Sequence, residues 1–571
     1  MQIRILIAHR PPSRARTQFS EDAGQRSSDP AIGPDDPPIE SPLSAAKPRA
    51  GFGGSFRVAL GIFGSRVTGL VRESVTGHYL GVETVAADAF RAAFRVPNLL
   101  SNLFGEGVLS AAFVTVYSKL RAAHEDEEAE DLAGAVFGLL ALVCSVLVLL
   151  GVLFTPALID LIAPGFTDEK RLLTIQIVRI LFPGTGVLVM SAWCLGVLNS
   201  HRRFLLSYLS PVAVNITVIA ALLILGRRSG QNRLVLYMAW AFLGGYALQF
   251  LIQLPRVLRV LPAFRPMVEW HSPAIRAVLR SFGPIFVSRG VVQLSAYIDS
   301  MIASKLPLGA VAVLGYGQVI SVLPISLFSM SVSAAELPAL SSATGDREQI
   351  AAFIRRRLSV ALRRIAFFII PSAVAFLVLG DVIGAALYQT GQFRHSDAIY
   401  LWSVLAGSAV GLLATSLGRL YSSAFYALLD TRTPLRFAVI RVVLTTVLGL
   451  LCAFKLPGWL GVDSKWGVAG LTASAGVAGW VEFVLLRHAL ARRIGSTPIP
   501  AEFTLKLWSI AFAGAGLGYL IKLVLGSAHP RLLALAVLPV YGLVYFGGTI
   551  LAGVPESVAT VKSVLGRLGK S

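Results

Sequence analysis

Charged side chains recur inside the long apolar runs of this chain, and their types suggest a chemistry. The run from about residue 56 holds Arg66, Arg72 and Glu73, the next holds Asp88, Arg91, Arg95 and Glu106, and one from about residue 278 holds Arg289 and Asp299. A charge at the centre of a membrane-spanning helix costs about 2.5–3.5 kcal/mol on insertion scales, so each of these needs a compensating role. Arginine is preferred over lysine in these runs, and its planar fork matches phosphate or carboxylate oxygens two at a time. Recognition of an anionic head group is the expected chemistry, with Arg66, Arg72 and Arg289 as its first candidates. Arg289 and Asp299 are separated by about 15 Å along one helix, too far for a direct pair. Glu73 on another helix is the alternative partner for Arg289.

The second run has the clearest pattern. Asp88, Arg91, Arg95, Asn98, Asn102 and Glu106 follow at i, i+3, i+7, i+10, i+14 and i+18, a single helical stripe about 27 Å long. A polar stripe of membrane length is expected to line water, with Pro97 kinking the helix where its backbone faces a cavity. The competing reading buries the stripe in internal pairs such as Asp88 with Arg91. Arg179, Arg419, Arg441 and Glu482 lie singly and read as snorkelling or locally paired charges, and Glu336 and Asp381 fall toward span ends. No cluster of metal-ligating residues, glycine-rich phosphate loop or nucleophile beside a base stands out. No enzyme, metal or cofactor is expected.

The elements that carry these residues follow from composition. Of 571 residues, 55% are hydrophobic and 14% charged, against about 25% charged in a soluble domain, and the mean hydropathy is +0.70. About fourteen runs from 56 to 553 reach the ~20 apolar residues that cross a bilayer, so the expected fold is an all-α polytopic membrane protein. The net charge of +20 comes mostly from loops between these runs, which argues for the positive-inside bias rather than nucleic-acid binding. Cys144, Cys194 and Cys452 each sit in an apolar run and read as small core residues.

Residues 1–50 are rich in Pro, Ser, Asp and Arg and are expected to be a disordered extension with no signal-peptide core. The rest divides into a lobe of six spans over 56–254, a basic cytoplasmic linker at 255–277, a second six-span lobe over 278–490, two further spans over 503–553 and a tail at 554–571. Arg202, Arg203, Arg355 to Arg357, Arg492 and Arg493 follow even-numbered spans and place both termini in the cytoplasm. Arg227, Arg228 and Arg233 argue the other way. A shift of 223 residues aligns Phe63, Ser65 and Arg66 with Phe286, Ser288 and Arg289, and Ser110 to Ala112 with Ser333 to Ala335. The two lobes are therefore expected to be copies in the same orientation, related by a pseudo-two-fold axis along the membrane normal. Arg66 and Arg289 would then face one cavity from opposite sides.

Ser65 to Glu73 (Ser-Arg-Val-Thr-Gly-Leu-Val-Arg-Glu), Ala87 to Phe90, Ala93 to Leu100 and Leu103 to Gly107, with Ser110 and Ala112 to Val114, closely resemble the opening of the MurJ/MviN family. These are lipid II flippases of the multidrug/oligosaccharidyl-lipid/polysaccharide exporter superfamily. The resemblance implies alternating-access transport of an undecaprenyl-pyrophosphate-linked disaccharide-pentapeptide to the outer leaflet of the bacterial inner membrane, with partners in a cell-wall synthesis complex. By position it implies head-group roles for Arg66 and Arg72, a basic family position at Arg95, acidic ones at Asp88 and Glu106, and a lipid-tail groove over 503–553. Two departures stand out. Ser101 and Asn102 replace an arginine pair that follows Pro-Asn-Leu-Leu, and Gly317 to Ile320 replaces an Ala-Asp-Arg-Leu pattern. Arg91 and Arg289 are the expected replacements for the lost positive charge. The binding set is then Arg66, Arg72, Arg91, Arg95, Asn98 and Arg289, with Glu73, Asp88, Glu106 and Asp299 for gating or for coupling to the membrane potential or an ion gradient. The other readings are export of a different polyprenyl-pyrophosphate glycan, or a membrane enzyme or scaffold of wall assembly.

Overall fold

The structure, a computed structural model, describes residues 52–104, 109–201, 203–342, 345–526 and 528–559, with side chains for all of these except 52–60, 62, 96, 110–111, 204, 284–296 and 347. Residues 1–50, Glu106, the side chain of Arg289 and the end of the tail lie outside the described set. The regular elements among the described residues are all helical. A backbone in hydrocarbon has to satisfy its own hydrogen bonds, and a helix does so within one segment.

Two helices, α1 (Phe52–Leu80) and α2 (Val85–Phe104), carry most of the intramembrane charge. The π-helical turn Ser110–Val114 leads directly into α3 (Thr115–Ala122), and 105–108 lie outside the described residues. The chain continues through α4 (Asp126–Leu153), the short α5 (Thr155–Ile162), α6 (Asp168–Ser200), α7 (Phe204–Leu209), α8 (Pro211–Leu225) and α9 (Gln231–Leu258). The expected linker thus begins as helix, with Pro255 and Arg256 in the last turn of α9, where a cation complements the carbonyl end. Its later part lies along α4. Ala263 donates its backbone N–H to Glu130 Oε2 at 2.7 Å.

Beyond the linker come α10 (Pro273–Ser304) and α11 (Ala310–Pro324), then the π-helical turn Ile325–Met330 and α12 (Ser331–Ser341). Next are α13 (Arg347–Tyr388), α14 (His395–Ala427), α15 (Arg432–Phe454), α16 (Leu456–Leu460), α17 (Gly467–Ile494), α18 (Ala501–Val524) and α19 (Pro530–Leu551). Among the described residues, eleven helical segments are long and apolar enough to cross a membrane, so the protein is a multi-pass membrane protein. Helices α1, α2 and α10, at 29, 20 and 32 residues, are also of spanning length at about 1.5 Å per residue. They are the helices whose charges the sequence singled out.

Helix α6 packs on α2, α4 and α9, and α8 on α1 and α9; in the second half, α14 packs on α13 and α17, α15 on α17, and α18 and α19 on α13. Small residues let these helices approach. A Cβ on Gly411 of α14 would fall 2.3 Å from the Gly476 Cα of α17. Between the two sets, α2 meets α10 and α11, and α1 meets α13. The candidate site lies along these seams.

Candidate functional site

A cavity of about 410 Å³ lies between α1, α2 and α11, lined by Arg66, Arg72, Glu73, Arg91, Arg95 and Asn98 together with Gly315 and Gln318. Four arginines against one carboxylate leave three positive charges in excess among its lining residues. Glu73 is buried and bridges two of them. Arg72 Nη2 lies 2.6 Å from its Oε1 and Arg91 Nη2 lies 2.5 Å from its Oε2. Both Glu73 oxygens are engaged by Arg72 and Arg91, while the side chain of Arg289, for which Glu73 was the alternative partner, lies outside the described residues.

Aromatic faces and amides hold the arginines from behind. The Arg91 guanidinium sits 4.2 Å from the Tyr316 ring centroid and that of Arg72 sits 5.1 Å from Phe242, cation–π contacts that add to the ion pairs. Arg72 also donates to Asn215 Oδ1 at 3.1 Å, and Asn215 donates to Thr68 Oγ1 at 3.0 Å. Gly315 leaves room for this arrangement: a Cβ there would lie 2.8 Å from Arg91 Cδ. Arginine has five N–H donors, so each guanidinium engaged by Glu73 keeps donors for a ligand.

Asp88 does something else. The sequence stripe on α2 divides, because Asp88 is fully buried at the start of the helix while Arg91, Arg95 and Asn98 reach the cavity. Its Oδ2 lies 2.8 Å from Lys170 Nζ and accepts the Gly309 N–H at 3.0 Å, and its Oδ1 accepts the Ala312 N–H at 2.8 Å. Gly309, at φ +93°, has no side chain to cap α11, so a carboxylate from α2 caps it instead. A helix N-terminus favours a negative charge. The alternative pairing of Asp88 with Arg91 is therefore corrected on both sides.

Further contacts close this end of the cavity. The Gln392 N–H donates to the His78 carbonyl at 2.8 Å, Ser74 Oγ donates to the Leu387 carbonyl at 2.5 Å, and the Gly165 N–H donates to Ser304 Oγ at 3.2 Å. Gly81, at φ +65°, sits where a Cβ would come within 2.8 Å of the Gln392 carbonyl oxygen. At the other end Arg66 and Asn98 are exposed. The cavity is sealed at the α1–α2 turn and accessible at the Arg66 end.

Two chambers adjoin it. One of about 400 Å³ shares Ser65, Gly69 and Arg72 and reaches Asn215 and Gln249 on the α8 and α9 side. The other, of about 210 Å³, shares Arg95 and Gln318 and holds Asp299 and Arg441. Arg441 and Glu482, expected to snorkel or pair locally, pair with each other at 3.0 Å, and the span-end charges Glu336 and Asp381 pair with Arg357 at 2.8 Å and Lys522 at 2.5 Å. Sequence reasoning missed Lys170, Asn215, Phe242 and Tyr316. A lone amide inside the apolar α8 run was the available signal for Asn215.

The family model described as "Lipid II flippase MurJ" matches residues 76–537. The chain belongs to the MurJ lipid II flippase family. A curated relative from Burkholderia cenocepacia, "Lipid II flippase MurJ", is 30% identical over 477 residues, covering 81% of this chain and 89% of its own. A "Probable lipid II flippase MurJ" from Rhizobium meliloti is 31% identical over 440 residues, with 75% and 78% covered. Among solved structures, "Lipid II flippase MurJ, inward closed conformation" superposes with a TM-score of 0.71 at 23% identity, covering 87% of this chain and 98% of that one. An inward-facing multidrug transporter of the MATE family superposes at 0.61 and 18% identity, with 77% and 98% covered. Both show the fold. Asp88, Arg91, Arg95 and Asn98 lie inside the segment matched by the MurJ family model, and Arg66, Arg72 and Glu73 lie just ahead of it.

Proposed function

We propose that this protein carries lipid II, the undecaprenyl-pyrophosphate-linked disaccharide-pentapeptide, from the cytoplasmic to the outer leaflet by alternating access. The observation that carries this reading is the arginine-rich cavity, sealed at one end and accessible at the other, in a chain of the MurJ family. The Lys/Arg bias of the loops places both termini in the cytoplasm. The α1–α2 turn and Gly309 are then at the outer face, so the cavity takes its cargo from the cytoplasmic side. Arg66, Arg72, Arg91 and Arg95 offer forks to the pyrophosphate, Asn98 a polar contact, and the α18–α19 pair a surface for the lipid tail. Asp88 acts as the outer latch. The membrane is the bacterial inner membrane, and a cell-wall synthesis complex is the setting that would consume the product.

Transport, rather than catalysis on the lipid, is supported by the family and by a cavity whose charged residues bind without presenting a nucleophile to a base. The excess of positive charge gives the membrane potential a handle of about 2.3 kcal/mol per charge per 100 mV. Purified protein in liposomes with labelled lipid II tests the reading. Wild type should expose the label on the opposite leaflet, with a rate that responds to an imposed potential. Arg91→Ala should slow transfer at least about tenfold, since a charge-assisted hydrogen bond contributes roughly 1.5–3 kcal/mol. Transfer by wild type no faster than in empty liposomes would remove the proposal. Loss of transport in Arg66→Ala with full transport in Arg289→Ala would exclude Arg289 as a replacement for the missing family arginines.

A further inference from the structure

The smaller chamber opens from the same cavity, with which it shares Arg95 and Gln318. It encloses about 210 Å³ between α2, α10, α11, α14, α15 and α17. That volume equals on the order of seven waters of liquid, or one amino-acid-sized group. Close packing of apolar side chains would normally fill such a space. Here the walls carry Asp299, Arg441 and the hydroxyls of Ser321, Ser408 and Thr472.

Two of these residues hold buried atoms with no hydrogen-bond partner among the described residues: Asp299 Oδ1 and Arg441 Nε. A buried polar atom left unpaired costs about 1–3 kcal/mol, and more when it is charged. The two do not satisfy each other. Arg441 is positioned by Glu482, to which its Nη1 donates at 3.0 Å, and its Nε is left over. The hydroxyls have also spent their hydrogens, Ser321 on the Gly317 carbonyl at 2.8 Å, Ser408 on the Val404 carbonyl at 2.8 Å and Thr472 on the Ala469 carbonyl at 3.0 Å. Their lone pairs remain as acceptors.

The chamber therefore offers acceptors around a carboxylate on one side and an unused guanidinium donor on the other. A simple anion would meet Asp299. A simple cation would meet Arg95 and Arg441. A group that carries an ammonium next to a carboxylate satisfies both orphans together.

We propose that this chamber receives a zwitterionic amino-acid end of the cargo, its ammonium against Asp299 and its carboxylate on Arg441, so that the protein reads the peptide as well as the pyrophosphate. This rests on the reading of the cargo as a peptide-bearing lipid-linked precursor. It reassigns Asp299 from coupling to cargo recognition and makes Arg441 a specificity residue on α15.

The test uses full-length purified protein and two lipids: lipid II with a free side-chain amine on its peptide, and the same lipid with that amine acetylated. Wild type should bind the free-amine lipid about tenfold more tightly, the worth of one charge-assisted hydrogen bond. In Asp299→Asn the ratio of the two affinities should fall to near one. Arg441→Lys, which keeps a cation for Glu482 but has no Nε, should weaken binding of both lipids, since both keep the carboxylate, and leave their ratio close to that of wild type. Equal binding of both lipids by wild type, a ratio that survives in Asp299→Asn, or unchanged affinities in Arg441→Lys overturns the inference and leaves the chamber to water. If wild type binds neither lipid, the transport reading falls and this inference with it; binding of the acetylated lipid alone separates the two failures.

Discussion

Glu73 organises the arginines of the cavity rather than opposing them. One carboxylate bridges Arg72 and Arg91, Tyr316 and Phe242 back the same two guanidiniums, and the fork edges left over are pre-set for a ligand. Preorganisation of this kind lowers the cost of binding, because the side chains are ordered before the cargo arrives. Asp88 has a separate task a short way along α2. Its three close partners are the Lys170 ammonium and the Gly309 and Ala312 N–H groups at the start of α11. Losing a helix cap costs about 0.5–2 kcal/mol, and removing one partner of a buried ion pair costs about 3–5 kcal/mol. Asp88→Ala should therefore loosen the sealed end. With Val82→Cys as reporter, a fully buried position in the α1–α2 turn, labelling by a membrane-impermeant maleimide should be at least about tenfold faster in Asp88→Ala than with Asp88 present, since ~1.4 kcal/mol is a factor of ten. Equal labelling rates would show that Asp88 does not hold this end shut.

Helix placement explains which of these residues could be read from sequence. The arginines and carboxylates of α1 and α2 were legible because a charge in an apolar run is expensive and its spacing on a helix is fixed. Their partners were not, because Lys170 is 82 residues from Asp88 and Asn215 is 143 residues from Arg72, and periodicity carries no information across such gaps. The split of the α2 stripe was hidden for the same reason: one helical face can meet a helix end at one level and a cavity at another. Arg441 looked solitary until α15 and α17 were packed together. The long apolar helices were legible from length and hydropathy, whereas the helical start of the linker depends on local packing. Close packings of this kind should be sensitive to added bulk. Gly411→Val at the α14–α17 contact should lower the unfolding temperature of the purified protein by several degrees, as overpacking costs about 1–3 kcal/mol. Gly542→Val on α19, where a Cβ would meet nothing within 4 Å, should change it little. Similar values for the two variants would mean that the α14–α17 approach is not a constraint.

For the whole molecule, the functional feature is an asymmetry. The α1–α2 turn, the start of α11 and the loop before α14 close one end of the central cavity, while Arg66 and Asn98 remain exposed at the other. Among the described residues the sealing contacts are a few hydrogen bonds and the ion pairs of Asp88 with Lys170 and Glu83 with Lys465, so they can be exchanged for contacts at the opposite end without unfolding either set of helices. Three excess positive charges between those ends suit an anionic head group, and the potential across the membrane acts on the same charges. The most direct measurement is depletion of this protein in its native cell, with total and outward-facing lipid-linked precursor quantified, and rescue by wild type or by Arg66→Ala. The account predicts that total precursor rises while the outward-facing pool falls, and that only wild type restores the pool. A steady outward-facing pool with falling wall polymer would contradict it and place the protein after translocation.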